Sequence, residues 1–340
     1  MSSQAETQLP SPIHFFETIN AHQRTSALKA AIELDIFTAI GEGVDTARAL
    51  ADRAQASERG VRILCDFLVV IDFLTKSEGR YGLTPDSAAF LDRRSPACLA
   101  STAKFLTSPT LMEAFKDLTT VVKEGTTLIG EEGTMEPEHP VWVEFARAMA
   151  PMIALPAELI AQRLDAAAGE RWKVLDIAAG HGLFGITIAR HNPNAQIVAV
   201  DWANVLEVAK ENAEAAGVAD RHTTIAGSAF DVDYGEGYDL ALITNFLHHF
   251  DQATCEKLLR KVHAALKPGG RAVTLDFVPN EDRVTPPPAA SFAMTMLGTT
   301  AAGDAYTLAE YERIFSNAGF SSTEMHELPP TIEQLLISRK

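Results

Sequence analysis

The chain has 340 residues, enough for about two domains and a sizeable core, with 46% apolar residues, a formal net charge of −16 and a pI near 5.0. That charge repels nucleic acid and anionic lipid, which leaves small molecules or another protein surface as partners. The three cysteines, Cys65, Cys98 and Cys255, are dispersed and form no CxxC pair, so they read as buried small hydrophobes in a reducing compartment, not as a disulfide frame or a metal site.

In chain order, the opening MSSQAETQLPSP is polar and lacks the basic-then-apolar order of a signal peptide. Residues 13–40 keep apolar side chains at three- and four-residue spacing and stop at Gly41, which predicts one helix. DTARALADRA and SERGVRILCDFLVVIDFL predict two more around the turn QAS, and TKSEGRYGLTP a hairpin built on Gly79 and Gly82. The apolar stretch 63–74 is interrupted by Asp66 and Asp72 and is too short to span a bilayer, so a cytoplasmic protein is expected. Helix, turn, helix, hairpin is the order of a winged helix. Its second helix carries Val61, Ile63, Leu64, Phe67 and Leu68 where a DNA reader carries basic and amide side chains, so dimerisation is the expected use.

Residues 100–165 read as helices around a loop, 129–140, whose Gly, Glu and Pro break periodicity. A helix beginning near Trp142 places Phe145, Met149 and Met152 on one side, either as core or as a pliable pocket wall. From residue 172 strands alternate with helices: WKVLDIA, AQIVAVDW, HTTIAGS, YDLALITNFL and RAVTLDFVP are the strands. This is an α/β fold with a doubly wound, mostly parallel sheet, and the last two apolar runs suit a hairpin on its edge.

Ligands of such sheets lie beyond the carboxyl ends of the strands. Gly180-x-Gly182-x-x-Gly185 follows the first strand, and Asp201, some twenty residues on, can accept two hydrogen bonds from a ribose diol. NAD and S-adenosylmethionine both fit those residues. Asp176 separates them, because an acid before the glycine turn opposes a pyrophosphate at the helix N-terminus and favours a cationic amino-acid tail.

With LDIAAGHG, VAVDW, AGSAF and LHHFDQATC in order, the chain resembles the class I S-adenosylmethionine-dependent methyltransferases, specifically the small-molecule O-methyltransferases with an N-terminal winged-helix dimerisation domain. The resemblance covers nearly the whole chain. It implies a dimerisation domain at 1–105, pocket helices at 106–165, a cofactor-binding catalytic domain at 166–340, and a homodimer. It implies that Asp176, Gly180 and Gly182 cradle the methionine part, that Asp201 holds the ribose, and that Trp202 lies against adenine. Ser228 stands where plant relatives have an acid, so adenine recognition falls to Ser228, Phe230 and backbone groups.

The resemblance makes His248 the catalytic base, with His249 a structural or secondary polar group and Asp276 in the place of a base-orienting Glu. A further acid of the plant arrangement is replaced by Ala305. A hydroxyl acceptor needs its proton removed, and histidine, near pKa 6.5, suits that task at neutral pH. The acceptor pocket is expected from the helix at 141–155, Phe246, Phe292, Met294 and Met296, with Phe15 and Phe16 of a second chain as candidates for part of the wall. A thiol methyltransferase, a non-methylating enzyme on the same fold and a DNA-binding sensor remain alternatives, the last disfavoured by the charge.

Overall fold

The computed structural model describes residues 10–340; the start of the polar opening segment, 1–9, lies outside the described residues. Contacts divide the chain into two compact units, Met1–Lys104 and Phe105–Lys340. No described helix is long and apolar enough to cross a membrane.

In the first unit the single helix predicted over 13–40 is three: Ile13–Ile19, Ala21–Glu33 and Ile36–Gly41. Asp35, at φ 55°, turns the chain through the left-handed region and breaks the periodicity that the apolar spacing had carried across it. The paired helices Ala47–Ala54 and Glu58–Val70 follow, capped by the side chains of Thr46 and Ser57. The hairpin then joins strand β1 (Leu74–Ser77) to β2 (Arg80–Leu83) antiparallel, with its turn at Glu78 and Gly79, while Gly82 sits within β2. Val61, Cys65 and Leu68 are buried at helical spacing, whereas Ile63 is 42% and Val70 76% exposed. The apolar second helix thus buries one stripe, not its whole circumference. All four large apolar side chains of the first helix, Ile13, Phe15, Phe16 and Ile19, are also exposed.

The second unit carries a seven-stranded sheet built from β3 (Lys173–Ile177), β4 (Gln196–Asp201), β5 (His222–Ala226), β6 (Tyr238–Thr244), β7 (Leu266–Asp276), β8 (Ser322–Glu327) and β9 (Gln334–Arg339). The order is β5-β4-β3-β6-β7-β9-β8. Strands β3 to β7 pair parallel, and the antiparallel β8–β9 hairpin closes the edge with β9 against β7. Alternation along the strands sends Leu175, Ala241 and Ile243 to one core and Val174, Leu240 and Leu242 to the other. Helices cover both faces, which is why these strands read as continuous apolar runs. The chain turns from one side of β3 to the other between β5 and β6, and that switch point opens a crevice at the ends of β3 and β6.

The helix predicted to begin near Trp142 is broken at Met149 into Val141–Ala148 and Ala150–Arg163, with Pro151 in the first turn of the second. The glycine loop leads into helix Leu183–His191, whose N-cap, Gly182, has φ 73°. The third glycine of the loop serves packing: a Cβ on Gly185 would lie 2.7 Å from Ile197 Cγ2 and 2.8 Å from Asp176 Oδ2. Gly185→Ala is therefore expected to lower stability by about 1–3 kcal/mol, outweighing the ~1 kcal/mol that alanine gains in a helix. Chemical denaturation checks this, and an unchanged or raised midpoint would contradict it.

Candidate active site

The crevice at the switch point holds a cavity of about 330 Å³. Of the predicted site residues it gathers His248, Gly180, Asp201, Trp202, Phe145, Met149, Met152, Phe246, His249, Phe292 and Met296 on one wall system. Asp176, Gly182, Ser228, Phe230 and Asp276 do not line it. Met294, also expected in the pocket, is 47% exposed, because Phe292, Thr295, Met296 and Thr299 form the inward stripe of helix Pro287–Thr299.

Asp176 departs from its expected place on the ligand wall. It is fully buried, and its Oδ2 accepts the N–H of Gly185 at 3.1 Å in the first turn of helix Leu183–His191. The acid itself thus takes up the anion-binding end of that helix, which closes it to a pyrophosphate. Burial pushes its carboxyl up to about 8, against the opposing pull of the Gly185 N–H, and its Oδ1 finds no partner among the described residues. Ser228 is likewise turned to its own loop, where its Oγ accepts the N–H of Phe230 at 3.2 Å. Lys261 fixes the same loop through the carbonyls of Ala229 and Phe230, and Phe230 packs edge-on against Phe250.

Asp201, at the end of β4, accepts the N–H of Gly180 at 2.8 Å and its neighbour Trp202's N–H at 2.7 Å, one on each oxygen. Each oxygen keeps a second acceptor direction, and burial raises the carboxyl to about 6. Gly180, at φ 56°, presents its N–H from a conformation that side chains disfavour. Among the charged residues lining the cavity are Asp201 and Glu333 and no Lys or Arg, which fits a ligand of net positive charge carrying a vicinal diol. S-adenosylmethionine answers that description, and Trp202 lines the cavity beside Asp201.

On the opposite side, His248 sits in a 3₁₀ turn, Leu247–His249, directly after β6. Its Nδ1 donates to Asp276 Oδ1 at 2.6 Å; that carboxylate also accepts the Phe277 N–H on Oδ1 at 2.8 Å and the Tyr311 hydroxyl on Oδ2 at 2.6 Å. All three side chains are buried. With Nδ1 engaged, Nε2 is the nitrogen left to the cavity. Phe292 meets the His248 ring edge-on at 4.8 Å and stacks on Phe277 at 4.0 Å, which confines the imidazole. His249 is held well below its ordinary value by burial and by the neighbouring His248, and packs edge-on against Trp142. Trp142 in turn donates Nε1–H to the Thr134 carbonyl, tying the loop at 129–140 to the pocket wall.

The sequence reading missed Tyr311 and Glu333 and gave no role to Asn245 and His181, which lie in the segments following the fourth and first strands of the sheet. Tyr311 and Glu333 lie far along the chain from the motifs and reach the site only through the packing of the C-terminal helix and hairpin. His181 sat inside the quoted glycine motif, and burial lowers it to about 4.

Family comparison matches residues 125–321 to an O-methyltransferase domain and residues 16–93 to an O-methyltransferase dimerisation domain. The chain is similar to a crystal structure from Nostoc punctiforme provisionally assigned as an O-methyltransferase, with 58% identity, 98% of this chain and 100% of that one covered, and a TM-score of 0.95. It is 28% identical to the 3-hydroxy-5-methyl-1-naphthoate 3-O-methyltransferase of Streptomyces sahachiroi, covering 88% of this chain and 86% of that one. Human N-acetylserotonin methyltransferase, solved with S-adenosylmethionine, shares the fold at a TM-score of 0.85 and 21% identity, over 100% of this chain and 99% of that one.

The buried acids set an expected pH dependence. A carboxyl whose folded pKa lies above its unfolded value near 4 stabilises the fold fully below that value and loses the contribution as pH rises through the folded pKa. Asp201 at about 6, Glu333 at about 7 and Asp176 at about 8 therefore make the ligand-free protein less stable as pH climbs from about 4, the losses ending near 6, 7 and 8 in turn, so that between pH 6.5 and 8 Asp176 carries most of the remaining slope. Each ionising carboxyl contributes up to ~1.4 kcal/mol per pH unit within its window. Asp176→Asn is expected to make this fall shallower, as measured by thermal unfolding across that range; an identical slope would contradict the assignment.

Proposed function

The chain belongs to the family of small-molecule O-methyltransferases that carry a dimerisation domain, and on that premise we propose that His248 is the general base of methyl transfer to a hydroxyl on a largely apolar acceptor. The enzyme is an S-adenosylmethionine-dependent O-methyltransferase. The observation that carries the assignment of the base is the buried His248–Asp276 hydrogen bond on a histidine that lines the cavity.

When bound, S-adenosylmethionine supplies a methyl group on a positively charged sulfur, open to in-line displacement by oxygen. Gly180 and Gly182 would cradle its methionine part and Asp201 and Trp202 would hold its adenosine, while Asp176 braces the helix end that follows the glycine loop. Ser228 and Phe230 order the adjoining loop as the remaining adenine-side contacts. On the acceptor side, Phe145, Met149, Met152, Phe246, His249, Phe292 and Met296 give an apolar wall that excludes water. His248 Nε2 takes the proton of the acceptor hydroxyl, which would leave that oxygen free to attack the methyl group that the bound cofactor supplies. Asp276 fixes the imidazole tautomer and offsets the charge that the ring acquires, and Tyr311 and the Phe277 N–H hold Asp276 in place.

The functional division follows: dimerisation over 1–105, pocket helices over 106–165 and the catalytic domain over 166–340. The exposed Ile13, Phe15, Phe16 and Ile19 support a homodimer through the first of these.

His248→Ala is expected to cut the rate of methyl transfer into phenols by about 10²–10⁴ while leaving S-adenosylmethionine affinity nearly unchanged. Transfer of labelled methyl into a panel of phenols and thiols measures this. An unaffected rate removes His248 as base, and a thioether product indifferent to the mutation would move the acceptor from oxygen to sulfur.

A further inference from the structure

Glu333 immediately precedes β9, is 2% exposed, and lines the same cavity as His248 and His249. No Lys or Arg pairs with it among the described residues, and no basic side chain other than the three histidines lines the cavity. Its polar neighbour is the side chain of Asn245, at the end of β6, and it lies close enough to Asp276 and His248 to feel both charges. Burial raises its carboxyl to about 7 in spite of Asn245 and His248. A carboxyl buried without a Lys or Arg partner, in a largely apolar chamber, is costly unless a ligand adds to its hydrogen bonding.

We propose that Glu333 is an acceptor-positioning residue, which takes a hydrogen bond from a second donor group of the acceptor, beside the hydroxyl presented to His248. This rests on the O-methyltransfer reading and adds the acceptor's chemical class: a neutral or cationic aromatic of about naphthalene size, bearing a hydroxyl or amino group next to the hydroxyl that is methylated. A carboxylate in that place would face Glu333 with no Lys or Arg to offset it, so aromatic acids are rejected.

The matched probes are 2,3-dihydroxynaphthalene, 2-naphthol and 3-hydroxy-2-naphthoate. Their binding to enzyme loaded with S-adenosylhomocysteine is read by calorimetry, and labelled methyl transfer is read with S-adenosylmethionine, for wild type, Glu333→Gln and Glu333→Leu. Wild type is expected to bind the diol on the order of 10- to 100-fold more tightly than the naphthol and to bind the naphthoate worst. Glu333→Leu should bring the diol down to the level of the naphthol while sparing naphthol and S-adenosylmethionine affinity. Glu333→Gln, which keeps a hydrogen-bonding end without the charge, should retain part of the diol preference and improve naphthoate binding, and it keeps the test open should the leucine variant not fold.

A diol preference that survives in both variants overturns the proposal. So does a parallel loss for all probes and S-adenosylmethionine, which is the mark of a structural brace, and so does failure of wild type to bind any of the three. A Glu333-dependent binding preference without methyl transfer would sink the O-methyltransfer reading and leave the positioning role standing. Equal transfer to diol and naphthol would do the reverse.

Discussion

The site depends on one buried carboxylate. Asp276 ends β7 with no exposed surface and receives donors from three directions: the imidazole of His248, the hydroxyl of Tyr311 and the N–H of Phe277. A carboxylate so placed is tolerable only while its hydrogen bonds are satisfied, because an unpaired buried charge costs several kcal/mol. That requirement couples the turn after β6, the end of β7 and the helix Leu308–Asn317, elements that meet nowhere in sequence. It also fixes which nitrogen of His248 is free, and so turns a packing constraint into a chemical one.

Acids recur around the rest of the cavity, each in a different role. Asp176 spends an acceptor oxygen on the Gly185 N–H in the first turn of helix Leu183–His191, which steadies the glycine loop and takes that donor from a phosphate ligand. Asp201 holds the glycine loop and its own neighbour Trp202 through two backbone N–H groups, and each oxygen keeps a further acceptor direction. Glu333 lines the same cavity. The absence of Lys and Arg from the lining leaves the whole chamber biased toward cationic and donor-rich ligands. The apolar walls strengthen that bias by lowering the local dielectric.

Much of this was legible in the chain because local signals agreed with the global fold. Alternating apolar strands and helices from residue 172 specify the sheet, and the strand-end residues Asp201 and His248 follow from where such sheets bind ligands. Helix continuity was less legible: apolar spacing runs unbroken through Asp35 and Met149, yet the backbone breaks at both. Pro151 marked the second break, while nothing in the periodicity marked the first. The buried setting of Asp176 was not legible because an acid before a glycine turn can point to a ligand or to the helix beyond it, and only the packed loop shows its partner. Tyr311 and Glu333 stayed hidden for a different reason: their places are set by how the C-terminal helix and β9 dock on β7, a long-range pairing with no local signature.

The most direct test of the central claim compares Asp276→Asn with wild type on a matched pair of acceptors, a naphthol and the corresponding naphthalenethiol. A thiol supplies its own anion near neutral pH and needs little from a base, whereas the hydroxyl does not. The account predicts a fall of about 10²-fold or more on the oxygen acceptor, with the sulfur acceptor changed only a few-fold. An equal loss on both would make Asp276 a structural support alone, and an unchanged rate on the naphthol would contradict the account outright.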